Sequence, residues 1–373
     1  MSSSEKKRVW PVALAHGLND GYGAFLSALM PIIIERLGIS LTLAGLLTSI
    51  RSSVGSFAQW PLGLAADRFG ARTFAIFGPL LTAFSMCFLA LMPSYLGVAI
   101  LLVLAGLGTA ALHPAGASLV PEGSGRGLRM ALFSAGGTLG VALGPILVTQ
   151  VVARFGLSAT PFLFIPAIFV GLVLFLFIPT GPRSPNSQGL RLHRHPQRAK
   201  LLRLWAMGMF RDVVSTAVSG FLAVVWVRRG ASLTLAGLSL TIYCLASAVG
   251  GLAGGRLSDR FGRTEVLAGA MFFALPSLYL FLFTDGLVSF LFLALFGLAL
   301  AASVPVTLVY GQELVPESRG AVSGLLLGLG WGVGSLLVTA VGALADRVGL
   351  ELALGYVGIA LIPAGLLALS LSK

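Results

Sequence analysis

Residues Gly63 to Gly70 read GLAADRFG, and Gly255 to Gly262 read GRLSDRFG, the same frame 192 residues downstream. In both places a glycine stands four positions before an Asp-Arg pair at the end of a long apolar run, which marks a point where a helix meets water. The match continues upstream. Ser40–Leu46 (SLTLAGL) returns as Ser232–Leu238, and Arg36–Arg72 laid on Arg228–Thr264 gives 15 identities in 37 positions. A period this long is a whole domain half rather than a solenoid repeat, so the chain reads as two copies of one unit.

Of the 373 residues, 57% are hydrophobic and 10% charged, against roughly 45–50% and about 25% in soluble domains. That balance predicts an integral membrane protein. A helix crossing a ~30 Å hydrocarbon core needs about 20 apolar residues. Twelve such runs are present, near 10–34, 42–66, 73–92, 95–119, 128–153, 161–179, 202–226, 234–257, 264–283, 287–311, 320–345 and 351–371. The 48 glycines and 18 prolines fall inside these runs, which suits closely packed, kinked membrane helices rather than disorder. Thr180–Lys200 is rich in Pro, Ser, Arg and His and has no apolar period, so it reads as a cytoplasmic linker between halves 1–179 and 201–373. Its basic residues suit contact with anionic lipid headgroups.

A net charge of +12 would suggest nucleic acid in a soluble chain, but here the charge is sorted by side. With the N-terminus inside, eighteen Lys/Arg lie on the cytoplasmic face and five outside (Arg36, Arg154, Arg228, Arg229, Arg347), with Arg51 and Arg211 within helices. This positive-inside asymmetry predicts both termini in the cytoplasm, in a cytoplasmic (inner) membrane of bacterial type, and no nucleic-acid partner. Residues 1–8 are a short basic tail without a cleavage-site pattern, and His16, Asn19 and Asp20 would spoil a signal-peptide core. Cys87 and Cys244 have neither disulfide nor metal-ligand spacing. No nucleophile–base constellation, phosphate loop with lysine or metal cluster is legible, which disfavours an enzyme, an ATP-driven pump and any cofactor.

The first run carries His16, Asp20, Gly23 and Ser27 at spacings that place them on one helical face. Its repeat carries Asp212, Ser215 and Ser219, with Asp20 over Asp212 and Ser27 over Ser219. Lipid-facing carboxylates are expensive, so both stripes are expected to line one central cavity. The copies diverge where Arg211 stands over Asn19 and Tyr243 over Arg51. Asp20 reads as a proton- or substrate-handling group, with structural pairing to Arg51 as the bland alternative. Asp212 is a coupling residue or the structural partner of Arg211, although neighbours on a helix point about 100° apart and need not pair locally. Arg51 is the partner of Asp20 or a clamp for an anion. His16 relays or tunes the Asp20 proton, or is a packed polar residue. His113 contacts substrate or bonds a carbonyl freed by Pro114. Asn19, Arg211 and Tyr243 complete the candidate substrate-binding set. Gly136, Gly140 and Gly144, followed by Pro145, and Gly324, Gly328 and Gly332 form four-spaced stripes that let backbones approach. LVPE at Leu119–Glu122 recurs at Leu314–Glu317.

Twelve helices in two related halves, a basic central loop and GxxxDRxG after the second and eighth runs resemble the major facilitator superfamily of secondary transporters. The resemblance implies an all-α membrane protein with twelve transmembrane helices in two pseudo-symmetric six-helix halves. It also implies a conformational latch at Gly63, Asp67, Arg68, Gly70 and Arg72, and at Gly255, Asp259, Arg260, Gly262 and Arg263. HGLNDGYGAFLSALMPIII from His16, the His113-Pro114 pair and GQELVP from Gly311 look like the fosmidomycin-resistance type of efflux protein, and GVALGP (Gly140–Pro145) resembles a signature of drug antiporters. The expected activity is therefore proton-coupled efflux of a small amphipathic or anionic compound by a monomer. A proton-coupled importer on the same fold, and a membrane receptor that has kept the fold without transporting, are the competing readings.

Overall fold

The computed structural model describes residues 3–120, 126–179, 196–316, 322 and 324–372. Most of the expected linker, residues 180–195, lies outside the described residues, as do Glu122 and Glu317 of the two LVPE boundaries. Every regular element among the described residues is helical. In chain order they are α1 Ser3–Gly23, α2 Phe25–Leu37, α3 Leu41–Phe57, α4 Gln59–Phe69, α5 Ala71–Phe88, α6 Tyr95–Leu119, α7 Arg126–Phe155 and α8 Ile165–Phe177. They continue as α9 Arg198–Arg228, α10 Leu233–Phe261, α11 Arg263–Phe283, α12 Gly286–Leu314, α13 Gly330–Leu336, α14 Val338–Val348, α15 Leu350–Gly358 and α16 Leu361–Leu369.

Among the described residues, ten helical stretches are long and apolar enough to cross a membrane. The two earliest runs are not among them. Each is divided at one residue, Ala24 between α1 and α2 and Ala58 between α3 and α4. The second division has a plain cause: Pro61 has no N–H to give the carbonyl of Phe57. Ala24 and Ala58 both keep right-handed helical angles, so the chain direction carries through each break. Phe77, Phe169, Phe175, Leu252 and Leu287 are exposed. Apolar surface of that kind belongs against lipid, and the chain is a multi-pass membrane protein.

Two compact units divide the chain. Unit 1 takes Met1–Ile39, Ile50–Asn186 and Trp226–Thr241; unit 2 takes Ser40–Ser49, Ser187–Val225 and Ile242–Lys373. Each unit thus holds most of one sequence half together with a short segment of the other.

Within unit 1, α1 packs most extensively on α7. Along one stripe of this interface backbone meets backbone: a Cβ at Gly17 would lie 2.7 Å from the Gly136 carbonyl oxygen and one at Gly21 3.1 Å from that of Gly140. Cβ atoms at Gly136, Gly140 and Gly144 would in turn overlap the carbonyls of Ala13, Gly17 and Gly21. The glycine stripe of the fifth run therefore does what its spacing predicts. Val12, Ala15, Phe133, Val170, Leu174 and Ile178 form an adjoining buried cluster.

In unit 2, Gly250 and Gly254 of α10 press on the carbonyls of Leu298 and Ala302 in α12. The stripe expected at Gly324, Gly328 and Gly332 is interrupted at its middle member. Residues Gly324–Leu329 make a π-helical turn, and Gly328 meets nothing within 4 Å. A π turn takes up an extra residue and rotates the face that later residues present. Gly330 and Gly334 approach α9, at 3.2 Å from Asp212 Oδ2 and 3.1 Å from Asp212 Cβ for an added Cβ.

Candidate functional site

α1 delivers His16 and Asp20 one turn apart, and α6 brings His113 to the same carboxylate. His16 Nε2 lies 3.1 Å from Asp20 Oδ2, and His113 Nε2 lies 3.1 Å from Asp20 Oδ1. Asn19 Nδ2 donates to Oδ1 at 2.9 Å, while Asn19 Oδ1 is buried without a partner. The side chains of His16, Asp20 and His113 are only 12, 16 and 26% exposed, so the carboxylate is satisfied mainly by protein rather than water.

The other ring nitrogen of His16 decides the chemistry. Nδ1 sits 2.8 Å from the Phe133 carbonyl oxygen, which only accepts, so Nδ1 must carry a hydrogen. In a neutral ring Nε2 would then present a lone pair to a carboxylate oxygen that also presents one. The 3.1 Å contact requires a proton between them, carried by an imidazolium or a carboxylic acid. The ring is held for this contact by stacking on Phe133, centroids 4.1 Å apart, and by an edge contact to His113 at 5.1 Å. Gly137 leaves the space: a Cβ there would stand 2.6 Å from His16 Cε1 and 2.8 Å from Asp20 Oδ2. The three groups also place donor atoms within 4.8 Å of one another, close enough to share a metal ion. The linear sequence hides that set because His113 is 93 residues from Asp20. The observed N···O separations are hydrogen-bond distances, which a shared proton accounts for.

Arg51, on α3, is not the contact partner of Asp20, whose ion pairs are to the two histidines. Its Nε is buried without a hydrogen bond, and its guanidinium lies where a Cβ on Gly23 would be. That leaves a cation beside the cluster with donors to offer. Gly23→Ala is expected to push the guanidinium aside and weaken binding of an anionic transported compound by about tenfold, read as a rise in its Kd by equilibrium binding. Unaltered binding would show that Arg51 does not face the compound.

The corresponding polar group in unit 2 is closed on itself. Arg211 donates from Nε and Nη2 to Asp212 Oδ1 at 2.9 and 2.8 Å, and from Nη1 to Ser303 Oγ and Thr307 Oγ1 at 3.4 and 3.3 Å. Adjacent helix positions do diverge, but the arginine side chain is long enough to fold back, so the pair is local after all. Both residues are 1% exposed, and Asp212 Oδ2 remains without a hydrogen bond. Tyr243 is also buried, its hydroxyl 3.1 Å from Ser215 Oγ and its ring stacked on Phe296.

The two Asp-Arg motifs share backbone geometry and differ in their partners. Gly70 and Gly262 end α4 and α10 with φ of 105° and 104°, a region L side chains rarely enter, which accounts for glycine at both. Gly63 rests against Pro114, with 3.4 Å from an added Cβ to the proline Cβ, while Gly255 meets nothing within 4 Å. Asp67 and Arg68 are exposed, and Arg68 lies 5.4 Å from the Phe69 ring centroid. Arg72 donates to the Phe175 carbonyl and stacks over its ring at 4.7 Å. In the second motif Arg263 bonds Asp259 at 2.6 Å and Glu313 at 3.0 Å, and Arg260 lies over Phe261 at 5.2 Å.

The sequence profile of the Major Facilitator Superfamily matches residues 12–325 and 204–373. The chain belongs to the Major Facilitator Superfamily. Among its relatives, the Bacillus subtilis (strain 168) protein described as the uncharacterized MFS-type transporter YfnC is 27% identical over 373 residues, covering 96% of this chain and 90% of its own. The fosmidomycin resistance protein of Escherichia coli (strain K12) is 26% identical over 365 residues, 91% of this chain and 87% of that one. A bacterial homolog of the human lysosomal transporter Spinster, solved inward-facing and occupied, superposes with a TM-score of 0.84 at 16% identity, covering 100% and 97% of the two chains. At that identity the likeness establishes the fold. As a superfamily member the chain is a transporter of small molecules.

Two residues of the histidine–aspartate cluster escape sequence reasoning, Phe133 and Gly137. Gly137 sits one position off the Gly136–Gly140–Gly144 stripe, so helical spacing points away from it. The feature that would have found it is the doublet Gly136-Gly137, which bares two adjacent faces of α7.

Proposed function

We propose that this superfamily transporter is a proton-coupled efflux antiporter for small amphipathic or anionic compounds, working by alternating access. The observation that carries the reading is the proton required between His16 Nε2 and Asp20 Oδ2. Removing it sets two lone pairs against each other at that distance, so deprotonation breaks the contact and protonation restores it. A group whose geometry depends on its proton is what coupling needs. In the proposed cycle the proton arrives from outside as substrate leaves and departs inside as substrate binds near Arg51, whose unpartnered Nε suits an anion. Each 100 mV of membrane potential is worth about 2.3 kcal/mol per charge moved, and each pH unit about 1.4 kcal/mol, so one returning proton sustains a useful gradient. The relative named for fosmidomycin resistance supports the outward direction.

The same reading takes the α1–α2 and α3–α4 rods as two further spans, giving twelve in halves 1–179 and 201–373 joined by 180–200. Both termini lie in the cytoplasm, the membrane is the inner membrane, and the transporter acts as a monomer. The Asp-Arg motifs act as cytoplasmic latches, Asp212 serves as the second coupling carboxylate, and Arg211, His113, Asn19 and Tyr243 contribute to the substrate path. The test is a proteoliposome assay with a pH-sensitive dye inside and a compound picked from a growth-inhibition screen. Antiport predicts that an outward compound gradient drives protons inward against it. Proton movement in the same direction as the compound would make the protein an importer-type symporter instead.

A further inference from the structure

The Asp-Arg motif occurs a third time. Gly342–Gly349 reads GALADRVG, at the end of α14, with Gly349 at φ 90° closing the helix as Gly70 and Gly262 close theirs. Here the aspartate is engaged: Asp346 accepts from the backbone N–H groups of Leu41 and Thr42 at 2.9 Å each and from the Thr42 hydroxyl at 2.6 Å. Those are the first two orphan donors of α3. The next two are met by Ser40, through Oγ to the Leu43 N–H at 3.2 Å and through its carbonyl to the Ala44 N–H at 3.0 Å. All four N-terminal donors of α3 are thereby satisfied, two of them by a carboxylate from another helix, where the helix dipole favours an anion.

The rest of the contact is built for close approach. A Cβ on Gly45 would stand 2.6 Å from the Val338 carbonyl oxygen, and one on Gly342 would overlap that of Leu41. Ser49 Oγ donates to the Ser335 carbonyl at 2.6 Å and meets Thr339 Oγ1 at 2.9 Å. All these residues lie in unit 2, whereas α3 beyond Ser49 belongs to unit 1.

We propose that Asp346 is a positioning residue of the transport cycle, a releasable cap that ties the start of α3 to α14 and lets go once per turnover. Two observations favour release over a fixed structural role. Asp346 is exposed, so water replaces the lost bonds at small net cost. The identical segment SLTLAGL starts α10, yet the stretch that ends α7 there, VARFG at 152–156, has alanine where ADRVG at 345–349 has Asp346, so such a helix start folds without the carboxylate. The inference rests on the proposed transport cycle, in which the cap lies at the outer face.

The experiment uses the full chain with Cys87 and Cys244 replaced by alanine and Ala44→Cys as reporter, a fully buried site one turn into α3. An impermeant maleimide is applied to right-side-out and inside-out vesicles. Asp346→Asn is expected to speed labelling about tenfold, and Thr42→Val, which loses one bond of three, about threefold, from the outer face only. Acceleration from the cytoplasmic face alone would reverse the proposed topology while leaving the cap in place. Wild-type labelling rates in both variants would overturn the cap. Equal acceleration from both faces with a lowered melting temperature would also overturn it, marking general loosening. Should Asp346→Asn fail to accumulate, Thr42→Val alone decides by the same criteria.

Discussion

In the Asp20→Asn protein, efflux driven by an imposed pH gradient is expected to fall about 100-fold or more while the folded protein accumulates normally. The substitution is nearly isosteric, and the cluster explains why folding survives it. An asparagine amide can donate to the lone pair of His16 Nε2 and accept from His113, so every hydrogen bond now made to Asp20 has a neutral replacement. What disappears is the shared proton. The contact between α1 and its partners then no longer depends on pH, and substrate movement is uncoupled from proton movement. Compound exchange across proteoliposomes without a pH gradient should persist, since that step needs no net proton transfer. Full gradient-driven efflux in this variant would sink the assignment of Asp20 as the coupling residue, and the measurement is the ratio of driven efflux to exchange.

Gly140→Ala is expected to lose about 3 kcal/mol of stability, at the upper end of the effect of overpacking a core. The added methyl would occupy the space of the Gly17 carbonyl, and the opposing atoms are backbone on both helices, with no flexible side chain to turn away. The matched control is Gly269→Ala on α11, where an added Cβ meets nothing within 4 Å. That change should stay within about 0.5 kcal/mol of the wild type, as open surface substitutions do. Melting in detergent, followed by intrinsic fluorescence, compares the two directly. Equal melting temperatures would mean that α1 and α7 do not approach as closely as their glycines allow.

Much of the architecture is legible in the sequence because membrane helices declare themselves by composition and because duplication repeats the declaration. The Gly63–Gly70 and Gly255–Gly262 copies place two helix ends, and each closes on a left-handed glycine as the repeat implies. The two earliest runs are less plain, since Ala24 and Ala58 divide them and polar residues dilute their hydropathy. Within the site, the face shared by His16 and Asp20 follows from helical spacing, but the arrival of His113 does not, because it depends on how α6 packs against α1. Spacing also leaves the interaction of Arg211 open. An angular argument about Cβ directions ignores the reach of four side-chain bonds, which is enough to bring the guanidinium back onto Asp212. The π turn at Gly324–Leu329 interrupts the glycine stripe at Gly328 for a related reason: a fixed four-residue spacing presupposes an unbroken α-helix.

The glycine-on-glycine seam between α1 and α7 has one more consequence, for entropy. Side chains that interdigitate surrender rotamers when they pack, on the order of 0.5–1 kcal/mol for each leucine. Gly17, Gly21, Gly136, Gly140 and Gly144 have none to surrender, so this contact gains dispersion energy without that loss. Nor has it alternative rotamers through which to yield. Movement of His16 and Asp20 on α1 therefore cannot be absorbed by repacking at this seam, and is passed to α7 as displacement of the backbone itself.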